Sequence, residues 1–306
     1  MTQEIPLVFC FDGNFTNYAA VATFSAFTNS KSKLKVHWII PSEAENATIP
    51  VKELLIKWGL DITIHVASDQ HFNGWKEQGH IKKATYIRLL IPEIISAPKV
   101  IYLDCDLIVQ ADIVELFELE IGASVVAGAH DAIGEKYTLM PQISGDKYIN
   151  SGVMVLNLES LRKNRFLETC TEIYNKFLAE VTFSDQCIIN KYSEGQKTLI
   201  DPCWNYYFFI YDNLEVSPSN EPAEFQKAKI LHFTGHIKPW SVNCPAHLGD
   251  RWWEYANRLN LPNLERKPYD NFMGKKIKRG IRRRIMDSVY KRILKIGQVA
   301  KRLYRE

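Results

Sequence analysis

Two aspartates one residue apart, Asp104 and Asp106, stand between apolar residues 100–103 and 107–109. A dry sheet interior cannot hold unpaired carboxylates, so the pair belongs where a buried strand leaves its sheet. In open α/β sheets, ligands bind at that edge. Two carboxylates there suit Mg²⁺ or Mn²⁺, either of which also holds a diphosphate. A solvated or helix-capping pair at an exposed strand end fits the same spacing, so the residues that accompany it must decide. His232, Gly235 and Lys238 share one short stretch. They offer a metal nitrogen, a close backbone approach and a phosphate cation. Alone, they also read as a core histidine at a strand end and a surface lysine. Arg88, between Ile87 and Leu89, needs an anionic partner if it faces inward. Asp185 and Gln186 open a helical pattern, as a cap and a solvated amide or as sugar contacts. The aromatic residues at 204–211 read first as core and second as a sugar platform.

The elements that must position these residues alternate in type. Residues 5–11 form an apolar strand that ends at the turn former Asp12-Gly13-Asn14. A helix over 18–27, a strand over 34–40, a helix over 51–58 and a strand over 62–66 follow. This order predicts a Rossmann-like, mostly parallel sheet flanked by helices. The first turn has no Gly-x-Gly-x-x-Gly, which argues against a dinucleotide-binding fold of the nicotinamide or flavin kind. Beyond it come a short helix over 83–90 carrying Arg88 and then the strand of the acid pair. A helix over 112–119, a strand over 124–129, a loop over 136–147 and a strand over 148–158 follow. Helices over 166–178 and 185–191, a last strand over 229–233 and a helix over 251–259 complete the series.

Charge divides the chain. Residues 265–306 carry 15 Lys/Arg against 4 Asp/Glu, a net of +11, and residues 1–264 carry a net of −8. Residues 284–296 put Ile285, Met286, Val289, Tyr290, Ile293, Leu294 and Ile296 on one helical side and basic residues on the other. We therefore expect a body over 1–262 and a basic amphipathic membrane-association segment over 263–306. The partner expected for that segment is an anionic membrane surface. Nucleic acid is not expected, because no recognition motif accompanies the charge. Six cysteines without a Cys-x-x-Cys pair, and no secretory signal, predict reduced thiols and a cytoplasmic location. No apolar run reaches the roughly 20 residues that span a bilayer. The expected location is the inner face of the plasma membrane, peripherally bound.

Four stretches in order resemble glycosyltransferase family 8. They are Tyr102-Leu103-Asp104-Cys105-Asp106, Asn150-Ser151-Gly152-Val153, Ser184-Asp185-Gln186, and His232 through Trp240. The nearest likeness is to bacterial galactosyl- and glucosyltransferases that extend lipopolysaccharide or lipooligosaccharide cores. The resemblance implies a GT-A fold, a UDP-galactose or UDP-glucose donor, and transfer with retention to a saccharide hydroxyl. By residue match it implies Asp104, Asp106 and His232 as ligands of Mn²⁺ or Mg²⁺. Gly235 and Lys238 match diphosphate contacts. Cys10, Asp12 and Asn14 fall at the uridine, with Cys105 beside the metal acids. Arg88, Asn150, Asp185 and Gln186 fall at the donor sugar. Phe15, His80, Asp131, Thr234 and His236 fall on the acceptor side. Two positions depart from the pattern: Phe15 stands where relatives offer a tyrosine hydroxyl, and Cys187 where an acid can stand.

Retention by double displacement needs a carboxylate on the far face of the sugar. The matching position is Gln186, an amide, so front-face attack is expected, with Asp185 the alternative nucleophile. The implied acceptor is a lipid-linked precursor of a surface glycan. Two rivals share the acid motif: a haloacid-dehalogenase-like phosphatase, and a non-catalytic UDP-sugar or glycan-binding protein. The phosphatase places its motif near the N-terminus, whereas three strand–helix units precede it here.

Overall fold

A computed structural model describes residues 4–76, 83–142, 145–207, 223–234, 238–242, 244, 246–262 and 264–266. The chain divides into units Met1–Pro268 and Tyr269–Glu306, and every described residue belongs to the first. His80, Gly235, His236, residues 208–211 and the expected basic helix lie outside the described residues.

The first strands are β1 (Glu4–Cys10), β2 (Lys33–Pro41), β3 (Asp61–Ala67) and β4 (Lys99–Leu103). They are followed by β5 (Leu107–Val109), β6 (Val126–His130), β7 (Ile149–Asn157) and β8 (Lys197–Leu199). The last two are β9 (Tyr206–Tyr207) and β10 (Ile230–His232). The main sheet runs β3-β2-β1-β4-β7-β6-β8. β3, β2, β1 and β4 are mutually parallel, and β7 is antiparallel to both β4 and β6. β8 is parallel to β6. The mostly parallel sheet flanked by helices agrees with the predicted α/β, GT-A class. A small second sheet, β5-β10-β9, was not foreseen. β1 and β4 are almost wholly buried, which is why they read as continuous apolar runs rather than alternating ones.

The helices begin with α1 (Thr16–Asn29) and α2 (Glu45–Lys57). α2 starts six residues before the expected Val51, with Pro50 inside it. Pro50 removes the bond to the carbonyl of Asn46, and Asn46 is exposed, so water can replace that bond. Residues Lys83–Leu90 form a 3-10 helix. α3 (Ile91–Ile94), α4 (Val114–Phe117), α5 (Ala132–Tyr137), α6 (Leu158–Lys163), α7 (Phe166–Lys176) and α8 (Ser184–Tyr192) follow. α5 reaches into the stretch expected to be a loop. It forms because Asp131 caps it, accepting from the Gly134 amide at 2.7 Å.

α1 holds the strand that follows the acid pair, β5, away from the main sheet. Ser25 Oγ accepts from the Val109 amide at 2.9 Å, and Asn29 Nδ2 donates to the Val109 carbonyl at 2.9 Å. β5 thus leaves the line of β4 and pairs with β10, antiparallel, with Leu107 opposite His232. Asp104-Cys105-Asp106 is the hinge between the two sheets.

Candidate active site

At the end of β4 the Asp104 amide still donates to the Gly152 carbonyl on β7, at 2.8 Å. The strand then turns, and the Asp106 carbonyl accepts from the Phe233 amide at 2.9 Å. These two bonds hold the carboxylates over the join of the sheets. His232 arrives from β10. Its Nε2 lies 3.1 Å from Asp106 Oδ1 and 3.7 Å from Asp104 Oδ2. One ligand atom from each of Asp104, Asp106 and His232 lies within 4.8 Å of the others. Two carboxylate oxygens and an imidazole nitrogen are a donor set that suits Mn²⁺ or Mg²⁺. Gly152 lies directly beneath: a Cβ there would come within 2.8 Å of Asp104 Oδ2. The residues present therefore fit a divalent cation.

Two cations balance the acids. Arg88 donates from Nη2 to Asp104 Oδ1 at 3.1 Å and from Nε to Asp185 Oδ2 at 3.2 Å. Its guanidinium also lies over the Tyr102 ring, 4.7 Å from the centroid, while Tyr102 Oη donates to Asp104 Oδ1 at 2.6 Å. Lys238 pairs with Asp106 and donates to the Phe233 carbonyl at 2.8 Å. It is not the surface lysine that its loop suggested: its side chain is 21% exposed. Trp240, two residues on, stacks on Tyr18 of α1 with centroids 3.5 Å apart, which anchors that loop. Burial alone would raise the Asp106 carboxyl. Lys238 and then His232 outweigh it and hold the group well below the usual carboxylate range.

The opposite wall comes from β7 and α8. Asp185 is not the helix cap expected of it. The N-cap is Phe183, with no side-chain bond, and Asp185 lies inside the helix against Arg88. Inward placement wins because Arg88 supplies the charge partner that a buried carboxylate needs. Burial still raises Asp185 to about 6, with Arg88 pulling the other way. A carboxyl raised above its ordinary 3.8 favours folding fully below that value, and the contribution is lost as pH rises through about 6. Between pH 4 and 6.5 we expect the Tm of chelated Asp185→Asn to gain on that of chelated wild type, because only wild type carries this loss. Parallel melting curves for the two proteins would refute the assignment.

Gln186 is fully engaged. Its Oε1 accepts from the Ser151 amide at 3.0 Å, and its Nε2 donates to Asp131 Oδ2 at 3.1 Å. Asp131 is a buried hub that also takes the Tyr207 hydroxyl at 3.0 Å and the Asn150 amide at 3.3 Å. Cys187 lies in the core behind, accepting from the Phe183 amide at 3.2 Å and the Tyr148 hydroxyl at 3.3 Å.

A cavity of about 380 Å³ collects these groups. Cys10, Asp12, Phe15, Arg88, Asp104, Cys105, Asp106, Asp131, Asn150, Asp185, Gln186, His232, Thr234 and Lys238 all line it. Asn14 does not; its backbone amide donates to Asp12 Oδ1 at 2.9 Å, so it shapes the turn. Phe15 is 37% exposed at the mouth, edge-on to Tyr18. Burial pushes the Cys10 thiol above its ordinary range, which leaves it uncharged beside the acids. All six cysteines are free. Reading the sequence missed Asn205, which ends a 3-10 helix over Pro202–Asn205, and saw Tyr207 only as part of an aromatic cluster, whereas β9 pairs it in parallel with His232 of β10. Their only local signal is polar groups within an aromatic run.

The family model for glycosyl transferase family 8 matches residues 6–244. General stress protein A of Bacillus subtilis is 29% identical over 82% of this chain and 92% of its own length. A putative glycosyltransferase of Haemophilus influenzae is 24% identical over 94% of this chain and 89% of its own. The chain spans 47% of the Streptococcus pneumoniae glycosyltransferase GlyF, at 25% identity over 64% of this chain. Among solved structures, galactosyltransferase LgtC, bound to donor and acceptor sugar analogs, superposes with a TM-score of 0.75. That match has 24% identity and covers 84% of this chain and 97% of LgtC.

Proposed function

The chain belongs to glycosyl transferase family 8, and we propose that it transfers galactose or glucose from a UDP-sugar to a saccharide hydroxyl, with retention. The observation that carries this reading is the Asp104, Asp106 and His232 cluster with Lys238 beside it, at the edge where β1 and β4 end. The family match removes the phosphatase alternative. The motif also suits a protein that binds UDP-sugars without turnover. The test between the two is UDP release from UDP-galactose and UDP-glucose with Mn²⁺, with and without oligosaccharide acceptors. Binding without release of UDP would favour the non-catalytic reading.

Bond cleavage leaves negative charge on UDP and positive character on the sugar. A divalent cation held by Asp104, Asp106 and His232 would supply charge stabilisation for the diphosphate. Lys238 adds a second positive charge on the same side. On the sugar side, Arg88 and Gln186 hold Asp185 and Ser151 in place. Gln186, with both amide ends engaged, offers no nucleophile, and Asp185 is tied to Arg88 through Oδ2. This supports front-face attack, in which the leaving phosphate oxygen takes the acceptor proton.

Lys238→Ala follows from the same geometry. In chelated protein it removes a counter-charge of Asp106 and is expected to lower Tm by a few degrees. Mn²⁺ with UDP should restore most of that loss, while kcat/KM for the donor stays at least about tenfold down. Donor kcat/KM equal to wild type would remove Lys238 from the site.

We assign the acceptor as a lipid-linked glycan precursor on an anionic membrane, reached by the basic C-terminal segment from the cytoplasmic side. No helix among the described residues is long and apolar enough to cross a membrane. Leu264 packs on the body and Arg266 pairs with Asp250 at 2.9 Å, so truncation is best made after Pro268. The removed residues 269–306 carry a net +10. Each basic residue near the surface contributes on the order of 1 kcal/mol, screened by salt. The truncated protein should keep transfer to soluble acceptors and lose co-sedimentation with anionic vesicles. Equal sedimentation of both proteins would show the segment is no anchor.

A further inference from the structure

His232 can ligate through Nε2 only if that nitrogen carries no proton when the cation is bound, so its tautomer must be set by whatever faces Nδ1. The atom there is Asn205 Oδ1, at 2.9 Å. An amide can be turned end for end, so the orientation of Asn205 has to be fixed in turn. Its Nδ2 lies 3.0 Å from Asn150 Oδ1. Asn150 is pinned at both ends. The Gly152 backbone amide, which can only donate, lies 3.0 Å from Asn150 Oδ1. Asp131 Oδ2 lies 3.3 Å from Asn150 Nδ2. A reversed Asn150 would set its NH₂ against the Gly152 N–H and its oxygen against a carboxylate, losing both bonds. The chain of consequence therefore runs one way. The Gly152 N–H fixes Asn150, Asn150 fixes Asn205, and Asn205 presents an acceptor to His232 Nδ1.

We propose that Asn205, oriented by Asn150, is a positioning residue that keeps the proton on His232 Nδ1 when the cation binds, so that Nε2 is then the bare nitrogen aimed at the cation between Asp104 and Asp106. Asn205 is 1% exposed and His232 3%, so water does not compete for these bonds. β9 makes the arrangement rigid: Tyr207, two residues beyond Asn205, is the parallel partner of His232. Asn205 does not line the cavity; its effect passes through the ring. The inference rests on the metal-assisted reading above.

The test uses full-length protein with Mg²⁺ and UDP, and ¹⁵N-resolved NMR of the His232 ring. Wild type should show a proton on Nδ1 and none on Nε2. Asn205→Leu removes both bonds and should lower Mn²⁺ affinity in the presence of UDP by about 10–100-fold, measured by electron paramagnetic resonance of free Mn²⁺. Asn205→Asp keeps an acceptor for Nδ1–H and should retain the tautomer and most of the affinity. A proton on Nε2 in loaded wild type overturns the proposal. So does folded Asn205→Leu binding Mn²⁺ as wild type does. If Asn205→Leu does not fold, the wild-type tautomer and Asn205→Asp decide: loss of the Nδ1 proton in Asn205→Asp would overturn it. Failure of wild type to bind Mn²⁺ at all would overturn the metal reading and this inference with it. Wild-type binding with an unaffected Asn205→Leu overturns this inference alone.

Discussion

Asp106→Asn is expected to leave a folded protein with turnover reduced by about 10²–10³-fold. The substitution keeps shape. Asparagine fills the same volume, and the Asp106 backbone carbonyl still accepts from Phe233 at the turn between the sheets. What it removes is the charge. The Asp106 side chain is only 14% exposed and faces both His232 Nε2 and Lys238. A neutral amide oxygen holds a divalent cation far less strongly than a carboxylate. The diphosphate would then leave against Lys238 alone. Circular dichroism and a thermal melt establish folding, and UDP release with saturating Mn²⁺ gives turnover. Near-normal turnover in Asp106→Asn, or full wild-type activity in excess chelator, would sink the metal assignment.

How much of this was legible depends on how far each contact reaches along the chain. β1, β2 and β3 and the helices between them were readable because apolar runs and turn residues mark them locally. The acid pair was readable for the same reason, since charge at the end of an apolar run has to sit at a sheet edge. The rest of the site is non-local. His232 meets Asp106 across 126 residues, through a three-residue pairing of β5 with β10 that is too short to show a period. β8 and β9, of three and two residues, were invisible for that reason. The family resemblance supplied the triad where periodicity could not. Of the two readings of Asp185, the cap fails because the capping rule is local, and Arg88, which draws it inward, lies nearly a hundred residues upstream. Asn205 sits beside Trp204 in a run that local reading assigns to core. It is core, at 1% exposure, but a buried amide needs partners, and its partners are the metal-site histidine and Asn150.

Gly152→Ala should be nearly as damaging as loss of an acid, although it adds one methyl and removes no functional group. Gly152 is not among the glycines with positive φ, so alanine can adopt its backbone. The obstacle is space. The new Cβ would lie 2.8 Å from Asp104 Oδ2 and 2.8 Å from His232 Nδ1, and closer still to the carbon between the ring nitrogens. Neither neighbour can yield without cost to the site. The His232 ring is held by Asn205 at 2.9 Å, and Asp104 by the bond from its own amide to the Gly152 carbonyl at 2.8 Å. Whichever moves, the three ligand atoms separate. Overpacking of this kind costs typically 1–3 kcal/mol of stability, so the variant is expected to fold. Its Mn²⁺ affinity should fall about 10–100-fold and its turnover at least about 100-fold. Gly128→Ala is the matched control on the neighbouring strand. There the new Cβ would press on buried Ile149, at 2.9 Å from Cδ1 and 3.2 Å from Cβ, and would meet none of the three metal-ligand side chains. It should cost similar stability and leave Mn²⁺ binding near wild type. Turnover of Gly152→Ala within about threefold of Gly128→Ala would mean that the cluster tolerates a methyl beneath it, and that the close approach at Gly152 is not what shapes the site.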